Sequence, residues 1–382
     1  MKLRRKLLTV YLSLALVPLF LLGAVGYFLT QQALVKETLD NLDGTASRFR
    51  ITLEDLADRD HGIILTYSNE TSVQEALGQS ATGTAALQAS ISLPATVARL
   101  QAIDTNMKTL LVLDLDGKIV ASTDPKRVGE SHTGEDFFER GKTAPTDNLY
   151  FKDAAGEVLD HLSAPVYNNS KVIGVVVEER LPKIVLQLVA SPDGLGTTGE
   201  ILLVKKDASG DATFVMPTRF DPNAAFTRTI SRDDPNSALI KAFNGAPGVF
   251  TNAIDYRGKQ IYTSSRYIDT LQLGLEVKMD RSEALAPMRN ILIGILLAIL
   301  IAAALVLVIT FYVSKSIAAP IVNLTSITNQ ISLGKLDVKF DRVESKDEVG
   351  DLYRTFERIL VSLKLAMREM GQDAKTEPPE KK

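Results

Sequence analysis

Two stretches carry the residue types of a ligand-binding loop. GLGTTG, Gly194 to Gly199, has the glycine spacing of a dinucleotide fingerprint. That chemistry needs a strand before the motif and a helix after it, so that the pyrophosphate meets a helix N-terminus. Here a helical pattern precedes and a strand pattern follows, so the stretch reads as a flexible linker. Asp114, Asp116 and Gly117 resemble the start of a calcium loop, but the later ligand positions and the terminal glutamate are missing, and a hairpin turn explains all three. The three histidines are His61, His132 and His161; there is no cysteine and no HExxH, GxSxG or Walker sequence. No histidine follows His161, so a cytoplasmic phosphoaccepting imidazole is absent and a histidine kinase of the usual kind is excluded. Neither an enzyme nor a cofactor is expected.

The remaining chemistry is recognition, and the elements that position it come next. A length of 382 residues, 45% hydrophobic, leaves room for one or two sizeable globular units, and a net charge of -3 offers no nucleic acid a basic surface. Residues 7–29 and 290–313 contain no charged residue. Each is long enough for a membrane helix, which needs about 20 apolar residues. The first run exceeds the h-region of a signal peptide, about 7–15 residues, and no A-x-A site follows, so it reads as an uncleaved anchor. Lys2, Arg4, Arg5 and Lys6 abut it and hold residues 1–6 in the cytoplasm. Residues 30–289 then lie outside, and Ser314 onward lies inside.

Beyond the first span, Val35, Leu39, Leu42, Ala46, Phe49, Leu53, Leu56, Ile63 and Tyr67 form a heptad-like stripe that misses only at Asp60. It suits a stalk paired with its copy in a dimer, or a helix packed on the chain's own sheets. From Thr109 the pattern changes to period two: TLLVLDLDGKIVAS is a hairpin turning at Asp116-Gly117, and VLDHLSAPVYNNSKVIGVVVEE one turning at Asn168 to Ser170. The helix LPKIVLQLVAS closes a distal unit of about 70–192. A second set, GEILLVKKDASGDATFVM, GVFTNAIDYRGKQIYTSSRYI and LQLGLEVKMD, with the short helix SALIKAFNG ending at Gly245, forms a proximal unit of about 199–280. The fold class is α+β, two units in tandem.

On LSAPVYNNSKVIGVVVEE, TTGEILLVKKD, YRGKQIYTSSRYI and LGLEVKMDRSEALAPM, residues 31–288 resemble a double Cache sensor domain, a tandem PAS-like segment of bacterial transmembrane receptors. The resemblance implies a small-molecule pocket in the distal unit, covered by GEDFFERGKTAPTDNLYF. Phe137, Phe138, Tyr150 and Phe151 would be its walls and Arg140 its charged anchor. Amino-acid-binding members have an arginine, a Trp-Tyr pair and an aspartate ending the GVV strand. Here there is no tryptophan, Glu179 takes the aspartate's place, and Arg140 is an approximate counterpart of the arginine. A small organic acid or amino-acid-like ligand fits this set. Arg140 and Glu179 read equally as a solvated pair, and His161 as a ligand contact or a satisfied core residue.

Inside, residues 314–370 resemble a HAMP domain at Pro320, Gly334, Asp347, Glu348 and Gly350. The first helix carries Ile321, Leu324, Ile327 or Thr328, and Ile331; the connector alternates Leu336, Val338 and Phe340. The second helix has Val349, Phe356, Leu363 and Met370 at one heptad position and Leu352, Ile359 and Ala366 at the other. One copy cannot cover both stripes, so a homodimer with a parallel bundle is expected. Residues 371–382 read as a disordered tail. The whole reads as a membrane receptor that binds a small ligand outside and relays a change to a separate cytoplasmic partner such as a phosphatase, kinase or cyclase. A truncated transducer and a non-signalling surface scaffold stay open as alternatives.

Overall fold

The computed structural model describes residues 2–78, 95–99, 104–190, 194–333, 335, 338 and 347–373. It divides into two bodies, residues 31–287 and a helical body of residues 1–30 with 288–382.

In the first body, helix α1 (Lys2–Ser68) enters from the other body and its later turns carry the predicted stripe. Leu42, Ala46, Phe49 and Leu53 are buried, with Val35, Leu39 and Leu56 packed around them. Each fully buried large apolar side chain contributes about 1.5–3 kcal/mol, so this face alone holds the helix on the sheets. The packing on the chain's own sheets is thus the arrangement seen for these positions. Asp60, where the stripe misses, is buried and takes both terminal nitrogens of Arg180.

Helix α2 (Thr71–Gly78) precedes a five-stranded antiparallel sheet made of β1 (Met107–Leu113), β2 (Ile119–Ser122), β3 (Thr146–Lys152), β4 (Val158–Asn168) and β5 (Lys171–Arg180), in the order β2-β1-β5-β4-β3. One face, with Leu110, Val112, Leu162, Ala164 and Val176, packs on Ile64, Tyr67 and α2. Short helix α3 (Asp136–Gly141) covers the other, where Phe137 and Phe138 meet Leu111, Leu113, Val175 and Val177. The cover expected over 134–151 is therefore half helix and half edge strand, because TDNLYFK pairs with β4.

Helix α4 (Lys183–Ala190) leads to the proximal sheet: β6 (Glu200–Lys206), β7 (Ala212–Phe214), β8 (Thr229–Ile230), β9 (Gly248–Ile254), β10 (Gln260–Ile268) and β11 (Leu273–Asp280), ordered β8-β7-β6-β11-β10-β9. Ile201, Leu203, Leu275 and Val277 face α1, while Leu202, Val204 and Phe214 face α5 (Ala238–Phe243). Four hairpins share one device. Asp114, Asp153, Asp207 and Asp255 each open a D-x-x-G turn and accept a hydrogen bond from a backbone N–H across it.

The stretch 194–199 is not the flexible linker expected. It is an ordered turn whose Leu195 is buried in the shared core and whose N–H groups hold the carboxylate of Glu283. Glu283 lies in α6 (Arg281–Ala284), just ahead of α7 (Ala286–Val313).

The helical body contains the first part of α1 and α7, which among the described residues are the two helices long and apolar enough to cross a membrane. A π-helical turn, Ser314–Ala318, joins α7 to α8 (Ala319–Ser332), and α9 (Glu348–Asp373) follows. The wider turn suits Pro320, which has no N–H to donate and whose ring crowds the carbonyl four residues back; the Ala319 N–H reaches Ser314 instead.

Candidate functional site

The five residues expected to line one pocket fall in three places, and the strand period explains why. Successive residues of β3 point to opposite faces, so Tyr150 and Phe151 cannot wall the same cavity. Phe151 stacks on His161 at 4.1 Å on the α3 face. Tyr150 points to the α1 face and lines a small cavity with Leu53, Asp60, Asp160 and Arg180; burial raises its phenol well above the usual range. Arg140 is also elsewhere. Phe137, Phe138 and Gly141 turn inward on the two turns of α3, which leaves Arg140 exposed and 3.9 Å from Asp136. Gly141 permits this close seat, because a β-carbon there would stand 2.7 Å from Ser163 Oγ. Phe138 is buried in the apolar layer beneath α3, under the ammonium of Lys142.

His161 and Glu179 are brought together, with partners that sequence reasoning missed. Glu179 ends β5 opposite His161 of β4. Its two oxygens each accept from Arg127 Nη1 at 2.8 Å, and His161 Nε2 stands 3.2 Å away. Arg127 ends a 3-10 turn, Pro125–Arg127, that Asp124 caps by accepting from Lys126 N–H. Its Nε donates to Glu130 at 3.0 Å. Glu130 in turn lies 3.6 Å from His132 Nε2, a buried nitrogen with no hydrogen-bond partner among the described residues. His132 meets the ring of Phe137 at 5.5 Å, and Phe137 meets His161 at 4.2 Å. The contacts close a ring: Arg127, Glu179, His161, Phe137, His132, Glu130.

The electrostatics favour fixed charges at this ring. Burial pushes the Glu179 carboxyl up, but hydrogen bonds from His161 and Arg127 outweigh it and hold the group below the usual carboxylate range. Burial likewise works against the Arg127 guanidinium, and its bonds to Glu179 and Glu130 raise it overall. One guanidinium and two imidazoles on an aromatic floor can donate to carboxylate and hydroxyl oxygens. Nothing in the ring is placed as a nucleophile with its base. The one sequence signal for Arg127 is the DPKR turn, which has no aromatic neighbour in the chain to advertise it.

In the helical body, Asp347 caps α9 by accepting from the Gly350 N–H at 3.0 Å, and Glu348 begins the helix. Pro320 is the second residue of α8. Leu324 and Ile327 of α8 are buried, as are Tyr353 and Leu360 of α9, two positions outside the expected heptad set. Leu352 and Ile359 are exposed, and Phe356 is half-buried. Gly334, Leu336 and Phe340 lie outside the described residues, as does the side chain of Met370.

Residues 312–365 match the HAMP domain family, and residues 98–177 match the family described as "Putative sugar diacid recognition". No curated protein matches the chain in sequence. Among solved structures, the sensor domain of histidine kinase DctB from V. cholerae is 16% identical, with 66% of this chain and 99% of that one covered and a TM-score of 0.44. The sensory domain of chemoreceptor Tlp3 from Campylobacter jejuni is 12% identical, covering 67% and 98%, at a TM-score of 0.46. The ligand-binding domain of the Pseudomonas aeruginosa amino acid chemoreceptor PctC, in complex with GABA, is 13% identical, covering 63% and 97%, at 0.43. At these scores the likenesses add nothing to the strand order itself. Two helix-covered antiparallel sheets in tandem along one long helix have the layout expected of a double Cache segment, and residues matching the HAMP domain family follow them.

Proposed function

We propose that the chain is a two-pass receptor of a bacterial cytoplasmic membrane, with residues 30–289 outside and both termini inside. Its distal unit binds a small acid carrying carboxylate and hydroxyl groups. The observation that carries this reading is the Arg127–Glu179–His161 cluster, beside which the buried Nε2 of His132 has no hydrogen-bond partner among the described residues. A ligand carboxylate competes with Glu179 for the guanidinium, which is suited to bidentate recognition of carboxylates. The match to a sugar diacid recognition family spans Arg127, His132 and His161 and supports the same ligand class.

Calorimetric titration of the full chain in detergent with glucarate and, separately, with valine tests the reading. Glucarate binding that is lost in Arg127→Gln is expected; valine binding without glucarate binding overturns it.

The exposed face of α9 supports the second half of the proposal. Ile359 and Leu363 line an open groove with Thr355 and Ala366, a surface suited to a second copy of the chain. Two copies sharing this bundle would pass a change in packing to a cytoplasmic signalling protein, with couplings of about 1–3 kcal/mol. Because the chain has no native cysteine, Ile359→Cys reports the contact cleanly. Crosslinking between copies in membranes is expected, and its absence overturns the homodimer.

A further inference from the structure

The turn at Gly194–Gly199 grips one carboxylate with four donors. Glu283 Oε1 accepts from the Thr197 N–H at 2.7 Å and the Thr197 hydroxyl at 2.8 Å. Oε2 accepts from the Thr198 N–H at 2.7 Å and from the Thr198 hydroxyl. The geometry depends on Gly196, whose φ of +67° turns successive N–H groups toward one point; a β-carbon there would sit 2.5 Å from Glu283 Oε1. The turn is itself held from three sides. Leu195 is buried in the core along α1, Arg219 donates to the carbonyls of Gly196 and Gly199, and the Thr198 hydroxyl accepts from the Asp280 N–H at 3.1 Å. Such a grip does not reflect burial, which acts to raise the carboxyl; the donors outweigh it and bring Glu283 down to about 2.

The position of Glu283 gives the clamp a consequence. Upstream, the turn follows α4, which ends at Ala190 and packs Val185 and Val189 into the shared core. Downstream, Glu283 stands three residues before α7 begins. We infer that Glu283 is a positioning residue, through which the turn between the two sensor units fixes the start of the second membrane-spanning helix. A displacement of α4 therefore reaches the start of α7 through the clamp, beside the direct chain connection from β11, which ends at Asp280. The inference rests on the two-pass arrangement proposed above, but not on any ligand.

Pairs of spin labels at Lys6→Cys and Lys315→Cys, in full chain diluted with unlabelled chain in lipid nanodiscs, measure where α7 sits against α1. The measurement needs no ligand, so it stands or falls separately from the identity of the bound acid. In Glu283→Gln and in the double variant Thr197→Val, Thr198→Val, the label distance is expected to shift by about 1–2 Å or to broaden. Thr198→Ser, which keeps the donor, is expected to match the parent. Distance distributions that superimpose on the parent in whichever of the two clamp variants keeps the parent circular dichroism and melting overturn the inference. The Thr variant decides alone if Glu283→Gln does not fold.

Discussion

The two units bury opposite charges near the ends of their corresponding strands. Glu179 of β5 stands opposite His161 of β4, and Lys278 of β11 stands opposite Thr263 of β10. Their partners differ in kind. Lys278, fully buried, reaches Glu200 at 2.8 Å and Asp255 at 2.5 Å, both buried on the sheet and its β9–β10 turn. Tyr256 closes the group by donating to Glu200, and Arg257 binds Asp255 and Asp280. Glu179 instead depends on Arg127, which comes from a surface turn and keeps 23% of its side chain exposed. A charge satisfied by strands is a strut, whereas one satisfied by a covering turn can exchange its partner for a ligand.

The sharpest way to break this contrast is to remove each cation. Lys278→Met leaves Glu200 and Asp255 buried with too few donors, and a loss of about 3–5 kcal/mol is expected. Arg127→Met leaves Glu179 with His161 and water access, for about 1–3 kcal/mol. Denaturant unfolding of the full chain in detergent measures both. Equal losses would remove the distinction between strut and exchangeable pair.

Each unit also buries a carboxyl that favours its proton, on opposite faces of the sheets. Glu178 has both oxygens buried without a partner among the described residues, and burial pushes it up to about 8. Burial pushes Glu276 up to about 7, although the hydroxyl of Thr263 donates to it at 3.0 Å. For both, the folded state binds the proton more tightly than the unfolded one. Their stabilisation is complete below about pH 4.5 and is lost as pH rises, through about 7 for Glu276 and about 8 for Glu178. Glu178→Gln is expected to leave the melting temperature little changed at pH 5 and to raise it at pH 9. Glu276→Gln should show the same sign with a midpoint nearer neutrality. A Glu178→Gln variant with the parent's pH profile would show that the group is charged in the fold.

How much of this was legible depended on whether the signal was local. The D-x-x-G turns, the strand periods and the α1 stripe are written in adjacent residues, and hydrophobic patterning reports them directly. HAMP positions Pro320, Asp347 and Gly350 are local as well. The site is not. Arg127, His132, His161 and Glu179 come from a turn, a loop and two strands, and only the sheet register brings them together. Tyr150 and Phe151 look like two walls of one pocket until the strand period separates them. GLGTTG gave a misleading local signal, since its glycines serve a carboxylate from residue 283 rather than a cofactor.

The smallest effect is expected where sequence reasoning placed the anchor. Arg140 is 43% exposed, its nearest carboxylate is the still more exposed Asp136 at 3.9 Å, and among the described residues no hydrogen bond or ion pair joins it to the Arg127 ring. An exposed pair of this kind contributes little, so Arg140→Ala should change stability by no more than about 0.5 kcal/mol. Glucarate affinity should likewise stay within twofold of the parent, about 0.4 kcal/mol on the affinity scale. The variant nonetheless separates two pictures of the distal unit. If Arg140→Ala abolishes binding while Arg127→Gln does not, the ligand sits on the outer side of α3. The Arg127–Glu179 pair would then be a second strut, equivalent to Lys278 and its carboxylates, and the two units would be alike.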